Sequence, residues 1–552
     1  NAEALSPIVA VEPRPARVPL SFAQQRMWFI NRFEASAATY NIPAVLRLTG
    51  SLDVDALRQS VIDVLARHEV LRTSFPSEAG VPYQQVGDIA EFDARRIWRV
   101  VDSDDALFAS ATAGFDVTTQ WPLRVTLRDA SPSGSAPQGA GEGALPSGSA
   151  PQGAGEDGTT FLIPEADATK ERGSRRVRRD EHHDATPAGE YLLAVVAHHI
   201  GVDGESMLPL VTDIVAAYTA RTQGDTPSWT PLPVQFADFA IWQHEVLGSA
   251  DDAESVIGRQ LGYWKDKLTG LPDVLDLPAD RPRPLVASYR GADFGFEFPA
   301  DVSERFGEIA RRYGVTEFMV VHAVLAVLLA RLSASQDIAV STPTAGRGQA
   351  VLDRLVGMFV NTLVLRADVP SSMSFEELLD QVRLSDLDAF EHADVPFESV
   401  VEAVDPVRSE AFAPLAQVML SFNPAASVAD ADVAVGDLQI APVELDQVPA
   451  QLDLSAIVSS GDAGRRWSGV LRYATDLFDE PTIAELSRRF IRLAEELTAD
   501  PSVAVGDAAL LADADRALVL DRSVGADEVV PAGTVADAVA AQVVRSPDAS
   551  AL

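Results

Sequence analysis

The chain has 552 residues, with 44 Lys+Arg against 81 Asp+Glu, a formal net charge of −37 and no cysteine. With 47% hydrophobic and 23% charged residues it has the makeup of a globular protein with apolar material for more than one core. The composition excludes disulfides, thiolate metal sites and a cysteine nucleophile, and the acidic excess argues against nucleic acid as a partner.

No apolar run reaches the ~18 residues that a membrane span needs, so no membrane association is expected. The longest run, residues 318–330, contains His322 and reads as a buried helix. No basic stretch followed by an apolar one opens the chain, so no signal peptide is expected and a cytoplasmic location is. The chain starts at Asn1, without methionine, and reads as a monomer excised from something longer.

Residues 1–17, with Pro7, Pro13 and Pro15, read as a linker, and ordered structure is expected from Val18. Ser21 can cap a helix that carries Gln24, Arg26 and Trp28. Residues 44–48 are strand-like, and residues 53–68 have helical spacing, with Leu57, Val61 and Leu65 on one face. Residues 70–75 and 82–86 are expected to be strands.

At residues 130–189 the composition changes. The segment 132–142 recurs residue for residue at 146–156, followed by five arginines between Arg172 and Arg179 and by His182-His183-Asp184. So few large apolar residues cannot offset the ordering entropy, and this stretch reads as a disordered insertion. Residues 191–197 form a continuous apolar run, as in a strand buried on both faces, and residues 205–220 read as a helix. Prolines 272, 278, 282 and 284 mark a linker at about 271–290.

The second half interleaves strand candidates (294–298, 338–342, 359–365, 418–422) with helix candidates (301–313, 316–332, 375–390, 482–497). The expected class is α/β, with parallel and mixed sheets both open. Another amphipathic helix starts at Thr534.

Chemistry concentrates in His198-His199-Ile200-Gly201-Val202-Asp203-Gly204. A buried strand delivers two histidines to a turn that opens a helix. Imidazole trades protons near neutrality. Adjacent residues on an extended segment face opposite ways, so one ring can face a cavity while the other packs. Asp203 can orient the turn, Gly204 permits close approach of a substrate, and the helix N-terminus favours a developing oxyanion. A structural role for both histidines is the plain alternative. A metal role lacks a third ligand beyond Asp203, so no metal is expected.

These seven residues spell HHxxxDG, the signature of condensation domains in nonribosomal peptide synthetases, and the rest of the chain resembles that family in order. Ser21-Phe22-Ala23-Gln24-Gln25-Arg26-Met27-Trp28 is similar to its opening motif and residues 67–75 to its second. Residues 236–242, Val356-Gly357-Met358-Phe359-Val360-Asn361-Thr362 and residues 392–398 follow in order. Residues 414–419 resemble the last motif, but its leading Arg-Asp-x-Ser-Arg is degraded to residues 408–412. The resemblance covers about residues 18–511.

The resemblance implies two chloramphenicol acetyltransferase-like lobes in a V-shaped pseudo-dimer around a central tunnel. The N-terminal lobe would take residues 18–270, the C-terminal lobe 291–511, and residues 512–552 a linker and the truncated start of an adenylation domain. It implies an acyltransferase that forms a peptide bond. A carrier-bound acceptor amine attacks a carrier-bound donor aminoacyl or peptidyl thioester. No cofactor is bound intrinsically. Upstream donor and downstream acceptor carrier domains, the partners together with the adenylation domain, insert phosphopantetheine arms from opposite mouths. His199 is then the catalytic residue, as base or as amine-positioning group. His198, Asp203 and Gly204 shape the loop, with Arg72 or Arg67 as the partner of Asp203. Asn361, Glu205, Ser21 and Trp28 line the tunnel or substrate site. Glu205 replaces a usual Trp; it either selects substrate or faces solvent. Glu205-Ser206-Met207 disfavours an epimerization domain, intact histidines disfavour a heterocyclization domain, and the linker before Val18 argues for an upstream carrier rather than for a starter domain, which accepts a fatty acyl group. The rival readings are a noncatalytic docking module and a coenzyme A-dependent acyltransferase.

Overall fold

A computed structural model describes residues 5–33, 40–91, 96–129, 189–423, 433–443, 448–461, 466–524 and 533–548. The expected insertion, with its arginine run and His182-His183-Asp184, lies outside the described residues, except that Gly189 opens a strand.

The first half contains α1 (Phe22–Phe33), β1 (Asn41–Gly50), α2 (Val54–Arg67), β2 (Trp98–Val101), α3 (Asp104–Thr112), β3 (Leu123–Asp129), β4 (Gly189–His198), α4 (Met207–Thr222), α5 (Phe236–Leu247) and α6 (Val256–Leu268). Local chemistry fixes the helix starts. Ser21 and Gln24 cap α1 reciprocally, the Ser21 Oγ accepting from Gln24 N at 3.2 Å and the Gln24 Oε1 from Ser21 N at 3.1 Å. Asp53 caps α2 by accepting from Ala56 N at 2.9 Å.

The second half contains β5 (Arg290–Glu297), α7 (Ala300–Tyr313), α8 (Glu317–Ser333), β6 (Asp337–Thr344), β7 (Asn361–Asp368), α9 (Phe375–Glu391), α10 (Phe397–Val404), β8 (Val418–Asn423), β9 (Val433–Val435), β10 (Leu438–Pro442), β11 (Val448–Pro449), β12 (Leu454–Ser459), β13 (Ser468–Ala474), α11 (Glu480–Ala499), α12 (Asp513–Ser523) and α13 (Val535–Arg545).

Two mixed sheets organise the fold. The first has the order β9-β10-β1-β4-β3-β2 and the second β7-β6-β8-β12-β13-β5-β11. The hairpin β9-β10 belongs to the second half by sequence but extends the first sheet, with Leu48 opposite Ile440 and Leu46 opposite Pro442. The two halves therefore share a sheet.

The apolar run in β4 is explained by burial on both faces. Leu192 and Ala194 pack with Val45 and with Leu107 of α3, while Leu193 and Val195 join the main core of the first half. Helix α8 is the centre of the second core, its residues 320–329 almost completely buried. His322 on this helix has its Nδ1 3.0 Å from Asp386 Oδ2, while its Nε2 is buried with no hydrogen-bond partner among the described residues. Among the described residues no single helix is long and apolar enough to cross a membrane.

Two local expectations are corrected. Residues 70–75 do not form a strand: Glu69–Arg72 is a 3-10 turn, and only Thr73–Ser74 pairs as β. The turn is folded back on the end of α2, with Arg72 Nε donating to Leu65 O at 3.1 Å and Thr73 Oγ1 to Glu69 O at 2.7 Å. Order also begins before Val18. Ile8 is buried, and Arg14 donates from Nε to the buried carboxylate of Asp238 at 2.8 Å. Asp238 is fully buried at the start of α5 and also accepts from Gln235 N at 2.8 Å, so one acid caps a helix and anchors the N-terminal segment.

Candidate active site

Strand β4 ends at His198, and its neighbours hold the two histidines at the end of this central strand of the first sheet. The backbone N–H of His198 donates to Pro122 O at 3.0 Å and that of His199 to Tyr40 O at 2.9 Å. The rings then part, as the alternation of an extended segment requires. His198 is buried, edge-on to Phe115 with ring centres 5.8 Å apart, and its Nδ1 accepts from Ile200 N at 3.1 Å. Burial, with a smaller contribution from His199, pushes it down to about 3.

His199 is half-buried and lines a cavity of about 1090 Å³. Burial chiefly holds this imidazole below its ordinary value; Asp203 opposes the shift and Arg26 adds to it. Its Nδ1 lies 3.3 Å from Met358 Sδ. A thioether accepts but cannot donate, so a hydrogen bond at this contact requires the tautomer with its proton on Nδ1 and the lone pair on Nε2.

Asp203 is fully buried and ties the turn to the second half. Oδ1 accepts from Ser206 N at 2.8 Å and Ser206 Oγ at 2.6 Å, and Oδ2 accepts from Phe359 N at 2.9 Å and Val360 N at 3.2 Å. Its cationic partner is Arg347, with NH2 3.2 Å from Oδ1. Arg347 also donates to Leu352 O and Leu355 O at 2.6 and 2.9 Å, and lies over the Phe359 ring at 4.3 Å. The expectation of Arg72 or Arg67 as that partner is thus corrected. Arg67 pairs with Asp213 at 2.7 Å, and Arg72 is spent on the Leu65 and Gly87 carbonyls. Both arginines belong to the body of the first half, whereas Asp203 faces the second half.

Gly357 shows how closely the halves meet: a Cβ there would sit 2.1 Å from the Phe236 ring. Gly204 differs. A Cβ there would meet nothing within 4 Å, because the residue borders the cavity that His199 lines.

A second cavity, of about 1260 Å³, lies between α1, α5 and the segment 390–398. The two cavities share Arg26, Met358, Val360 and Thr362 in their walls. At this shared wall Arg26 NH1 lies 2.8 Å from Glu398 Oε1, a pair between α1 and α10.

The remaining candidates separate. Glu205 is exposed and lines the His199 cavity. Ser21 and Asn361 border the second cavity, but both are also structural. Asn361 donates from Nδ2 to Ala393 O and Val395 O at 2.9 and 2.6 Å and accepts from Phe397 N at 3.1 Å, which locks β7 to the approach of α10. Trp28 borders neither cavity; it packs in the core and donates from Nε1 to Phe75 O at 2.7 Å. Three residues were missed. Met358 lay inside a motif read only for Asn361, and Glu398 inside another whose members were given no role. Arg347 is flanked by Gly346 and Gly348, a signal of a backbone shaped for an arginine hub. Among the described residues no group of three or more His, Cys, Asp or Glu stands ready to hold a metal.

The family model for the condensation domain matches residues 16–134 and 185–520. The chain belongs to the condensation-domain family. Over 98% of its length it is 39% identical to a probable non-canonical nonribosomal peptide synthetase of Salinispora arenicola. It is 38% identical over 99% to an isonitrile lipopeptide synthase of Mycobacterium tuberculosis and 34% identical over its full length to a dimodular nonribosomal peptide synthase of Bacillus subtilis. This condensation domain spans 6, 20 and 21% of the length of those relatives. Among solved structures it is similar to the X-domain from teicoplanin biosynthesis in complex with OxyB, with a TM-score of 0.74 and 28% identity over 93% of this chain and all of that one. It shares its fold with the first condensation domain of the calcium-dependent antibiotic synthetase, with a TM-score of 0.62 and 19% identity over 90% of this chain and 99% of that one. The activity class is amide-forming acyl transfer.

Proposed function

We propose that this condensation domain joins two carrier-bound substrates at His199, inside a passage open to both. The observation that carries the reading is the position of His199: it lines one cavity, and the residue its Nδ1 touches, Met358, lines both. Four shared wall residues support a continuous route between the cavities, as in two lobes set in a V around a tunnel. One phosphopantetheine arm would enter from each side, carried by an upstream donor and a downstream acceptor carrier domain. The exposed apolar residues of α12 and α13 support an adjoining domain, read as adenylation, after the linker that follows residue 511.

In the reaction the acceptor nitrogen forms a bond to the thioester carbon, the C–S bond breaks, and the amine proton ends on the departing sulfur. An α-amine with a pKa of about 8 is partly protonated at neutrality. A neutral imidazole with its lone pair on Nε2 can hold that amine deprotonated and aim it. His198, Asp203, Ser206 and Arg347 hold the loop and touch no substrate. The expected result is that His199→Ala folds normally and loses most dipeptidyl-carrier formation, read by intact mass with loaded donor and acceptor carriers. Turnover near that of the unaltered chain would remove His199 from this role.

A second reading is favoured by the X-domain similarity. That fold was solved bound to another protein, OxyB, so a docking platform is the alternative. The same assay separates the two, since a platform forms no amide with any loaded pair.

A further inference from the structure

The cavity beside His199 is larger and more apolar than an amino-acid side chain requires. It follows α4 from Gly204 and Glu205 past Met207, Val211 and Ile214 to Tyr218. At the rise of an α-helix, the stretch from Met207 to Tyr218 is about 16 Å. The opposite wall is the face of the first sheet on which Leu46 stands directly across from Leu193 and Pro442, and Leu48 across from Ile440. Leu57 and Val61 of α2 close the far end. Helix α4 packs on α2 and stands off the sheet, and the gap between them opens into the cavity, whose wall toward the second half is made by Pro343, Thr344, Met419, Phe422 and Asn423.

The helix face that borders the gap is itself informative. Leu208 is 52% exposed and Val211 37%, although both line the cavity. With Val215 they form one helical stripe of apolar residues, spaced by three and four, that the protein's own core leaves uncovered. Near His199 the wall is polar, with Arg26 and Glu205; between α4, α2 and the sheet it is aliphatic. The Tyr218 hydroxyl at the far end already accepts from Asp53 N at 3.1 Å.

The geometry points to a long-chain aliphatic acyl group as the donor. This rests on the reading of His199 as the centre of amide formation. With the thioester carbonyl at His199, the donor arm takes the part of this cavity that faces the second half, and the acyl chain is left the aliphatic gap along α4 that leads from the same ring. A peptide threaded there would strand backbone N–H and C=O groups without partners, each at a cost of a lost hydrogen bond. A methylene chain has no such groups. The fatty acyl carbon gains the acceptor nitrogen and loses the pantetheine sulfur, which leaves as the thiol.

The test uses the full chain with acceptor-loaded carrier and a donor series of acetyl, hexanoyl, dodecanoyl and palmitoyl carriers beside aminoacyl carriers. The expected result is that kcat/KM rises by up to about fourfold per added methylene until the cavity is filled, from the transfer free energy of one buried CH2. Val211→Trp and Ile214→Trp, which project into the gap, should each shift the optimum to shorter chains. A profile flat in chain length, or a preference for aminoacyl donors, overturns the inference while leaving condensation standing. If no donor condenses, the reaction reading fails, and calorimetric titration with unreactive S-alkyl pantetheines decides the inference. Affinity rising with chain length and lost in Val211→Trp supports it, and affinity independent of chain length overturns it.

Discussion

At the scale of single residues, adjacent histidines acquire opposite natures from one backbone alternation. His199 lines a cavity, and a hydrogen bond from its Nδ1 to Met358 Sδ would leave the lone pair on Nε2. Met358→Leu keeps the volume and removes the acceptor. About a 2–10-fold loss in kcat is expected, the worth of one modest hydrogen bond, with KM little changed and recovery in Met358→Gln, whose amide oxygen accepts. Equal losses in both variants would count against control of the tautomer. Because burial lowers the His199 pKa, its imidazole resonances in an NMR titration should move only below the ordinary histidine value of about 6.5, and a midpoint at or above that value would count against the buried setting. His198 bears instead on stability. Its folded value of about 3 is depressed, so on acidification the unfolded chain takes up the proton first. Stability is unaffected above the ordinary value and falls by about 1.4 kcal/mol per pH unit below it, toward the folded value. Urea unfolding at two pH values should show a smaller acid loss in His198→Asn, which keeps an acceptor for Ile200 N and does not titrate.

At the scale of elements, the loop between β4 and α4 is shaped from outside its own half. Asp203 accepts from two backbone N–H groups of the segment entering β7 and from Arg347 beyond β6. Asp203→Ala should cost about 3–5 kcal/mol, since it leaves a buried guanidinium unpaired. Chemical denaturation measures this directly, and a cost under 1 kcal/mol would show that the contacts are replaceable. Glu205 opens the run into α4 at the polar end of the cavity. Glu205→Trp should alter the donor and acceptor profile; identical profiles would leave Glu205 without a selective role.

At the scale of the molecule, the halves are joined by a shared sheet and by the loop contacts of Asp203. Residues 130–188 lie outside the described residues. Asp129 stands opposite Tyr191 in the antiparallel ladder, so residues 130–188 connect the two strands of one hairpin. Replacing them with four residues, two of strand type to face Glu190 and Gly189 and then an Asn-Gly turn, should preserve register and amide formation. Loop-closure entropy should then raise stability by up to about 2 kcal/mol. Loss of the fold on excision would mean that the segment contributes contacts.

Local pattern along the chain accounts for one part of this architecture. The apolar run before His198 required burial on both faces, the caps at Ser21 and Asp53 required helices, and the ordered motifs identified the family and the histidine. Spacing fixes such features because they depend on neighbours along the chain. It could not assign Arg347 to Asp203, because those residues are far apart in sequence and meet only where the halves close. Nor could it show that β9 and β10 complete the first sheet, that Asp238 anchors the N-terminal segment, or that Trp28 faces a core rather than a cavity. Whether a side chain lines a cavity or fills a core depends on what stands opposite it, and only the tertiary structure supplies that opposite wall.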